Sequence, residues 1–326
     1  MIPKTKHTLR FRNDGTFRVL MMSDIQDKLD YDPRTLTGMR RLIEETDPDL
    51  VIWGGDNCDG RKLKKHEELR EYLKIFTVPM EEKQIPWMHV FGNHDYDIEV
   101  SGEEQSKLYE EYPHCISTQT PGIPGVTNYM VPVLMHDSDH VAYAIYAFDS
   151  KHKDVEYRPG VTVDDVLLPN RPKHYRKWDT IRFEQQLWYW NLSKELEAQE
   201  GHLVRAMAVM HVPPHEITMV INNPEQSGYI GFADEKLHCP MLNSGVYATM
   251  LERGDVDIIA AGHLHRDVTD GVYGGIRICL DACAGFAPSG DDQRRGGRVF
   301  VIREDGSYET EMLYYKDLMD IAPVGE

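Results

Sequence analysis

The strongest constraint on this chain is the position of its polar side chains, several of which follow directly after short apolar runs with strand-like composition. These runs lie at 17–22, 50–53, 86–91, 205–210 and 256–261. Helical patterns separate the first of them, and this alternation predicts βαβ units and therefore an α/β fold. Because ligand sites in α/β sheets gather at the carboxyl ends of strands, we expect these polar residues to meet at one place.

The rest of the chain supplies further helices and strands. Asp32 followed by Pro33 has the pattern of a helix N-cap and first turn, which predicts a helix from there to about residue 45. Helices are also predicted over 66–76, 181–199 and 247–252, and strands over 142–148, 298–303 and 308–315. No Gly/Ser-rich or low-complexity linker divides the chain, so we expect residues 1–326 to form a single domain.

The polar side chains after the apolar runs are carboxylates, amides and imidazoles. They occur in the segments 23–26, 55–59, 92–95, 210–213 and 262–265. Oxygen and nitrogen ligands without an evident thiolate suit divalent Mn, Fe or Zn. Each segment alone is common, but their order and placement together predict a metal-dependent active site. The metal-capable residues in this position are Asp24, Gln26, Asp56, Asn93, His94, His211, His263 and His265.

The ordered series D-x-Q, GD, GNHD, H and GHxH, which runs from Asp24 to His265, resembles the motifs of the calcineurin-like metallophosphoesterases. The resemblance implies a four-layer α/β/β/α sandwich of two mixed sheets. It assigns two divalent transition-metal ions, with Asp56 bridging them. By matching positions, the first ion takes Asp24, Gln26, Asp56 and His265, and the second takes Asp56, Asn93, His211 and His263.

The same resemblance implies the reaction, which is hydrolysis of a phosphate mono- or diester by a hydroxide that bridges the two metals. His94 would contact the substrate phosphate and donate a proton to the leaving oxygen. His215, in the turn that follows His211, is a further candidate for substrate binding, although an ordinary loop residue is the alternative.

The segments 148–150, 185–190 and 243–245 look like those of the purple-acid-phosphatase-like group. Purple enzymes carry an iron-binding tyrosine three residues after the GD aspartate, and this chain has Asp59 there. The resemblance therefore implies a two-metal centre that lacks an iron–tyrosinate bond. Asp59 also matches the GDxxD version of the motif, in which this carboxylate orients the catalytic histidine.

The formal charge of −18 argues against nucleic acid as a partner, because a polyanion would be repelled. The basic runs 61–65 and 171–177 are interpreted as solvated loops. A small phosphate ester or a phosphoprotein is the expected substrate. The polar N-terminus and the absence of a long apolar run predict a cytoplasmic protein without a membrane partner. The five cysteines, odd in number and without a CxxC pair, suit a reducing compartment.

Two alternative functions stay open from the sequence. One is a nuclease-type phosphodiesterase of the same superfamily, against which the acidic charge and the lack of a basic–aromatic groove count. The other is a non-catalytic metal-binding interaction module. Such modules lose ligands or the catalytic histidine, whereas this chain fills all seven ligand positions and keeps His94.

Overall fold

The computed structural model describes residues 5–152, 156–158, 160–162, 178–235, 239–240 and 242–321. The predicted basic loop 171–177 lies outside these residues. The strands are β1 Leu9–Arg10, β2 Thr16–Met22, β3 Leu50–Trp53, β4 Trp87–His89, β5 Tyr129–Leu134, β6 Val141–Ala147, β7 Glu156–Arg158, β8 Val161–Thr162, β9 Arg205–Val209, β10 Ile230–Phe232, β11 Val256–Ala261, β12 Val268–Tyr273, β13 Ile276–Leu280, β14 Gly296–Arg303 and β15 Tyr308–Tyr314. The helices are α1 Pro33–Thr46, α2 His66–Phe76, α3 Val78–Glu81, α4 Gly102–Glu110, α5 Phe183–Glu200, α6 Ile217–Asn222, α7 Pro224–Ser227, α8 Val246–Arg253 and α9 Tyr315–Leu318.

The strands form two mixed sheets and a small β7–β8 ribbon. The larger sheet has eight strands in the order β1-β5-β6-β9-β11-β13-β12-β10, and the smaller has five in the order β15-β14-β2-β3-β4. Strands β2, β3 and β4 run parallel in the smaller sheet, and β6, β9, β11 and β13 run parallel in the larger one. Parallel strands end on the same edge of a sheet, so each sheet presents several strand ends together.

Three hydrophobic cores show how these sheets and the helices are layered. Strand β9 illustrates the arrangement, because Met207 and Val209 point into the core between the two sheets. Ala206 and Ala208 point the other way, into a core shared with helices α5 and α8. A third core joins the smaller sheet to α1, α2 and α4. Helices therefore cover the outer face of each sheet, which confirms the predicted four-layer α/β/β/α sandwich.

Local sequence signals account for many element boundaries. The Asp32 carboxylate accepts a hydrogen bond from Arg34 N at the start of α1, and Pro33 occupies the first turn. Helix α4 was not predicted, although its start carries a capping box in which Ser101 and Glu104 bond each other's backbone N–H groups. Strands β5, β12 and β13 were also not predicted, although β13 ends directly before the buried Asp281.

Two further expectations concern membranes and cysteines. Within the described residues, no helix is both long and apolar enough to cross a bilayer. All five cysteines are buried and free. The cysteines thus behave as core side chains rather than as a disulfide framework.

Candidate metal centre

The predicted ligands come together where strand ends of both sheets meet. Asp24 and Gln26 follow β2, and Asp56 follows β3 in the smaller sheet, while His211 follows β9 in the larger one. Backbone hydrogen bonds join the loops: Asp24 N donates to Gly55 O over 2.9 Å, and Gln26 N donates to Asp56 O over 2.8 Å. Gly262 N donates to His211 O over 3.1 Å, which ties the β11 loop to the β9 loop.

The backbone at the predicted ligands adopts a conformation that most residues avoid. Asp24, Gln26, Asp56 and His263 have φ angles of 54°, 40°, 48° and 77°. Such left-handed backbone is uncommon outside glycine and persists where surrounding structure imposes it. Four of the seven non-glycine residues with positive φ in the described chain are predicted ligands. Local strain is therefore concentrated at this centre.

Glycines bring the loops into close contact. Gly55 has φ +94°, and a Cβ at this position would lie 2.5 Å from His211 Nδ1. At Gly262 a Cβ would lie 1.8 Å from Ser23 Oγ, so this glycine is required for space rather than for a positive φ. Both residues allow backbone from one sheet to pack directly on ligand loops of the other.

The side chains form two adjoining groups that share Asp56. The first group consists of Asp56, His211 and His263, and the second consists of Asp24, Asp56 and His265. Within each group the potential ligand atoms lie within 4.8 Å of one another. His211 Nε2 is 3.3 Å from Asp56 Oδ2, and His265 Nε2 is 3.3 Å from Asp24 Oδ1. These groups contain the carboxylate and imidazole members of the two ligand sets that the resemblance implies, and Asp56 is common to both.

Carbonyl oxygens fix the orientation of two of these imidazoles. His211 Nδ1 donates to Gly54 O over 2.9 Å, and His265 Nδ1 donates to Ser289 O over 2.8 Å. With Nδ1 occupied, Nε2 of each ring faces the carboxylates. A hydrogen bond of this kind on the remote nitrogen is the usual support for a metal-binding histidine.

Several side-chain atoms of the predicted ligands are buried with no hydrogen-bond partner in the described part of the chain. They are Asp24 Oδ1, Asn93 Oδ1, His211 Nε2 and both terminal atoms of the Gln26 amide. Leaving a buried polar atom unbonded costs about 1–3 kcal/mol, so a cluster of them favours the binding of a compensating ligand. Oxygen and nitrogen atoms clustered in this way fit a pair of divalent cations.

The electrostatics of the centre also favour a cation. Burial would lower the pKa of His211, yet the carboxylates of Asp56 and Asp24 raise it to about 10. Burial would raise the pKa of Asp24, but His211 and His265 hold it below its ordinary value. Burial and the charge on His211 together lower the pKa of His263. Without metal, a protonated His211 thus supplies the positive charge between the two carboxylates.

Asp95 links two of the ligand loops. Its carboxylate accepts hydrogen bonds from Gly92 N over 2.7 Å, from Asn57 N over 3.0 Å and from Cys58 N over 3.2 Å. Burial and the neighbouring charge of Asp56 raise the pKa of Asp95 to about 7. This residue therefore holds the GD and GNHD loops together.

The orientation of His94 differs from what the sequence predicted. The imidazole Nδ1 of His94 lies 2.6 Å from Asp97 Oδ2, and the Asp59 carboxylate instead accepts from Arg61 Nε over 2.8 Å. The assignment of Asp59 as the residue that orients His94 is therefore wrong for this structure. The Asp59 carboxylate bonds the adjacent Arg61 guanidinium, and a short turn after His94 places Asp97 beside the His94 ring.

Two other residues border the centre without having been singled out for it. His152 Nε2 lies 3.3 Å from Asp97 Oδ1, and the Trp178 ring stands edge-on to His263 with centroids 4.7 Å apart. The carboxylate three residues after His94 was a local signal for Asp97, whereas His152 and Trp178 are far away in sequence and carry no such signal.

His215 lies outside both groups of ligands. Its side chain lines a small cavity together with Ser150, Asp179, Asn243 and Ser244, next to the loop that carries His211. Its role in substrate binding stays a prediction.

Comparisons with known proteins show the family and the fold of this chain. The model of the calcineurin-like phosphoesterase family matches residues 17–267. Probable inactive purple acid phosphatase 14 of Arabidopsis thaliana is 24% identical over 86% of this chain and 73% of its own length. Phosphatase DCR2 of Saccharomyces cerevisiae is 23% identical over 79% of this chain and 45% of its own length. A dimetal phosphatase structure from Danio rerio superposes with a TM-score of 0.58 at 14% identity, covering 90% of this chain and 98% of that one. This chain belongs to the calcineurin-like phosphoesterase family.

Proposed function

We propose that this protein is a metal-dependent phosphoesterase that hydrolyses a phosphate mono- or diester at a centre of two divalent transition-metal ions. Mn, Fe and Zn are the ions that the donor set fits best. A small phosphate ester or a phosphoprotein is the proposed substrate.

The observation that carries the proposal is the group of buried atoms without a partner around two carboxylates. Asp24 Oδ1 and His211 Nε2, which lie 3.8 Å apart, and Asn93 Oδ1 are buried without a hydrogen bond in the described residues. Asp56 belongs to both groups of ligand atoms, as a bridging carboxylate would. A structural cluster that held no cation would be expected to satisfy these atoms within the protein.

The chain supplies the remaining chemistry through its own side chains. When bound, divalent ions lower the pKa of a coordinated water toward about 7 and offset charge on the phosphate oxygens. Asp24 and Asp56 contribute only two negative charges to the two groups, which leaves the loaded centre attractive to an anionic phosphate. His94 stands beside Asp56 and is the residue that would donate a proton to the leaving oxygen.

The proposal is tested by a hydrolysis panel on metal-free protein reloaded with Mn²⁺, Fe²⁺, Zn²⁺ or Mg²⁺. The substrates are p-nitrophenyl phosphate, bis(p-nitrophenyl) phosphate, a phosphoserine peptide and single-stranded DNA. We expect His211→Asn to abolish activity and metal binding. The exposed His140, which pairs with Glu200, provides the control variant His140→Asn.

A non-catalytic metal-binding module is the second candidate, supported by the word "inactive" in the name of the A. thaliana relative. The same panel separates the two functions. Protein that binds about two metals per chain but hydrolyses no ester would favour the module. Protein that binds no metal after reloading would contradict both, and selective cleavage of DNA would favour a nuclease.

A further inference from the structure

We propose that Asp97 and His152 are positioning residues for the proton donor His94. The Asp97 carboxylate, held between the two imidazoles, fixes the orientation of the His94 ring. This inference rests on the proposed phosphoesterase function and assigns roles to two residues outside the family motifs.

The first contact is between His94 and Asp97. His94 Nδ1 donates to Asp97 Oδ2 over 2.6 Å, and both side chains are mostly shielded, with exposures of 19% and 17%. The backbone supports this geometry, because Asp97 N donates to His94 O over 3.2 Å and Lys64 Nζ donates to Asp97 O over 3.2 Å. Asp97 is thus fixed at both its main chain and its carboxylate.

The second contact comes from a distant part of the chain. His152 Nε2 lies 3.3 Å from Asp97 Oδ1, the oxygen that His94 does not use. The ring of His152 also stands edge-on to Tyr96, with centroids 6.2 Å apart. One carboxylate therefore bonds an imidazole through each of its oxygens.

The end of β6 is anchored so that His152 reaches this carboxylate. The half-buried Lys151 donates through Nζ to Thr180 O over 2.6 Å and to Gln185 Oε1 over 3.0 Å. Asp179 N donates to His152 O over 3.1 Å. These bonds fix the segment after β6 that carries His152.

This arrangement has a defined chemical consequence. The Asp97 carboxylate accepts Nδ1–H and fixes the plane of the imidazole. To donate, the ring must also carry a proton on Nε2, and that proton passes to the leaving oxygen while Nδ1–H stays bonded to Asp97. Protonation of the leaving oxygen matters greatly for an alkoxide and little for a nitrophenolate, which departs without a proton. Substitution of the positioning residues should therefore lower the rate of hydrolysis mainly for esters with poor leaving groups.

The test compares ethyl phosphate with p-nitrophenyl phosphate on metal-loaded wild type, Asp97→Asn, His152→Ala and His152→Gln. We expect Asp97→Asn to lower kcat on ethyl phosphate by roughly 10- to 100-fold, with a much smaller loss on p-nitrophenyl phosphate. His152→Ala should act in the same direction, and His152→Gln should lose less because its amide N–H can still donate to Asp97. His114, which pairs with Glu81 over 2.8 Å at similar exposure, gives the matched control His114→Ala, expected to change neither rate.

A second readout does not depend on activity. In metal-free protein, the ring ¹⁵N shifts of His94 report which nitrogen holds the proton, and we expect Nδ1–H in the wild type and a shifted pattern in Asp97→Asn. Unchanged His94 shifts in Asp97→Asn, or equal losses on both esters, would overturn the positioning role. Wild-type protein that hydrolyses neither ester would count against the proposed function, while the shifts would still decide the contact between His94 and Asp97.

Discussion

The backbone N–H of His94 donates a hydrogen bond to Asp56 Oδ1 over 2.7 Å. Asp56 belongs to both groups of potential metal ligands, and its other oxygen, Oδ2, lies 3.3 Å from His211 Nε2. The residue proposed to donate a proton is therefore attached through its main chain to the residue proposed to bridge the metals. Because this bond uses the backbone of His94, substitution of its side chain can separate catalysis from metal binding.

Replacing Asp56 with asparagine should lower metal content and activity together, because the change removes a negative charge that both metals would share. Elemental analysis and kcat, measured on the same preparation, test this expectation. Asp47→Asn is the control, since Asp47 has a similar φ of 43° but is exposed and remote from the centre. Retention of about two metals per chain in Asp56→Asn would contradict the bridging role.

Replacing His94 with asparagine should leave both metals bound and the fold intact, since the side chain is not among the proposed ligands. The turnover rate should fall by roughly 10²- to 10⁴-fold, the usual contribution of a positioned general acid. The measurement is kcat at saturating substrate, with metal content determined in parallel. If His94→Asn loses metal as readily as Asp56→Asn, the division of roles is wrong.

Iron-loaded protein should lack the intense visible band of an iron–tyrosinate bond. Asp59 occupies the position of the tyrosine in purple enzymes and bonds Arg61. Tyr72, the next tyrosine along the chain, is buried and donates its hydroxyl hydrogen to Asn57 O over 2.6 Å. An absorption spectrum of the iron-loaded protein provides the check, and a strong band in the green region would show that a tyrosinate reaches the metal.

The buried His89 should make the fold sensitive to acid. Burial lowers its pKa from 6.5 to about 3, so below pH 6.5 the unfolded chain binds a proton that the folded chain excludes. The stability that this neutral, buried histidine contributes is fully present above pH 6.5 and is lost as the pH falls toward 3. Between about pH 7.5 and 5 the loss amounts to about 2 kcal/mol.

Denaturant unfolding of metal-free protein at both pH values measures that loss. His89→Phe keeps the aromatic packing against Tyr109 and should show an acid sensitivity smaller by about 2 kcal/mol. His202→Gln changes an exposed histidine and serves as the control. Equal acid sensitivity in wild type and His89→Phe would mean that the ring of His89 is protonated within the fold.

The predictions from the sequence were most successful where a signal was local. The strand of residues 50–53 and the helix of residues 66–76 have the predicted bounds in the structure, because apolar runs and amphipathic periodicity act within a few residues. The helix after Asp32 also begins where its cap indicated. The motif spacing predicted that Asp59 orients the His94 ring. That the Arg61 guanidinium bonds the Asp59 carboxylate instead is seen only in the structure.

The sequence by itself determined which donor atoms stand at the ends of which strands, since a motif fixes residue types and their order along the chain. Only the tertiary structure decided which atoms share a site. The pairing of the sheets brings Asp56 and His211 within 3.3 Å although 155 positions separate their numbers, and the end of β6 brings His152 to Asp97. The physical reason is that contacts of this kind depend on the packing of whole sheets and on the anchoring of loops, and neither is encoded in a short run of residues.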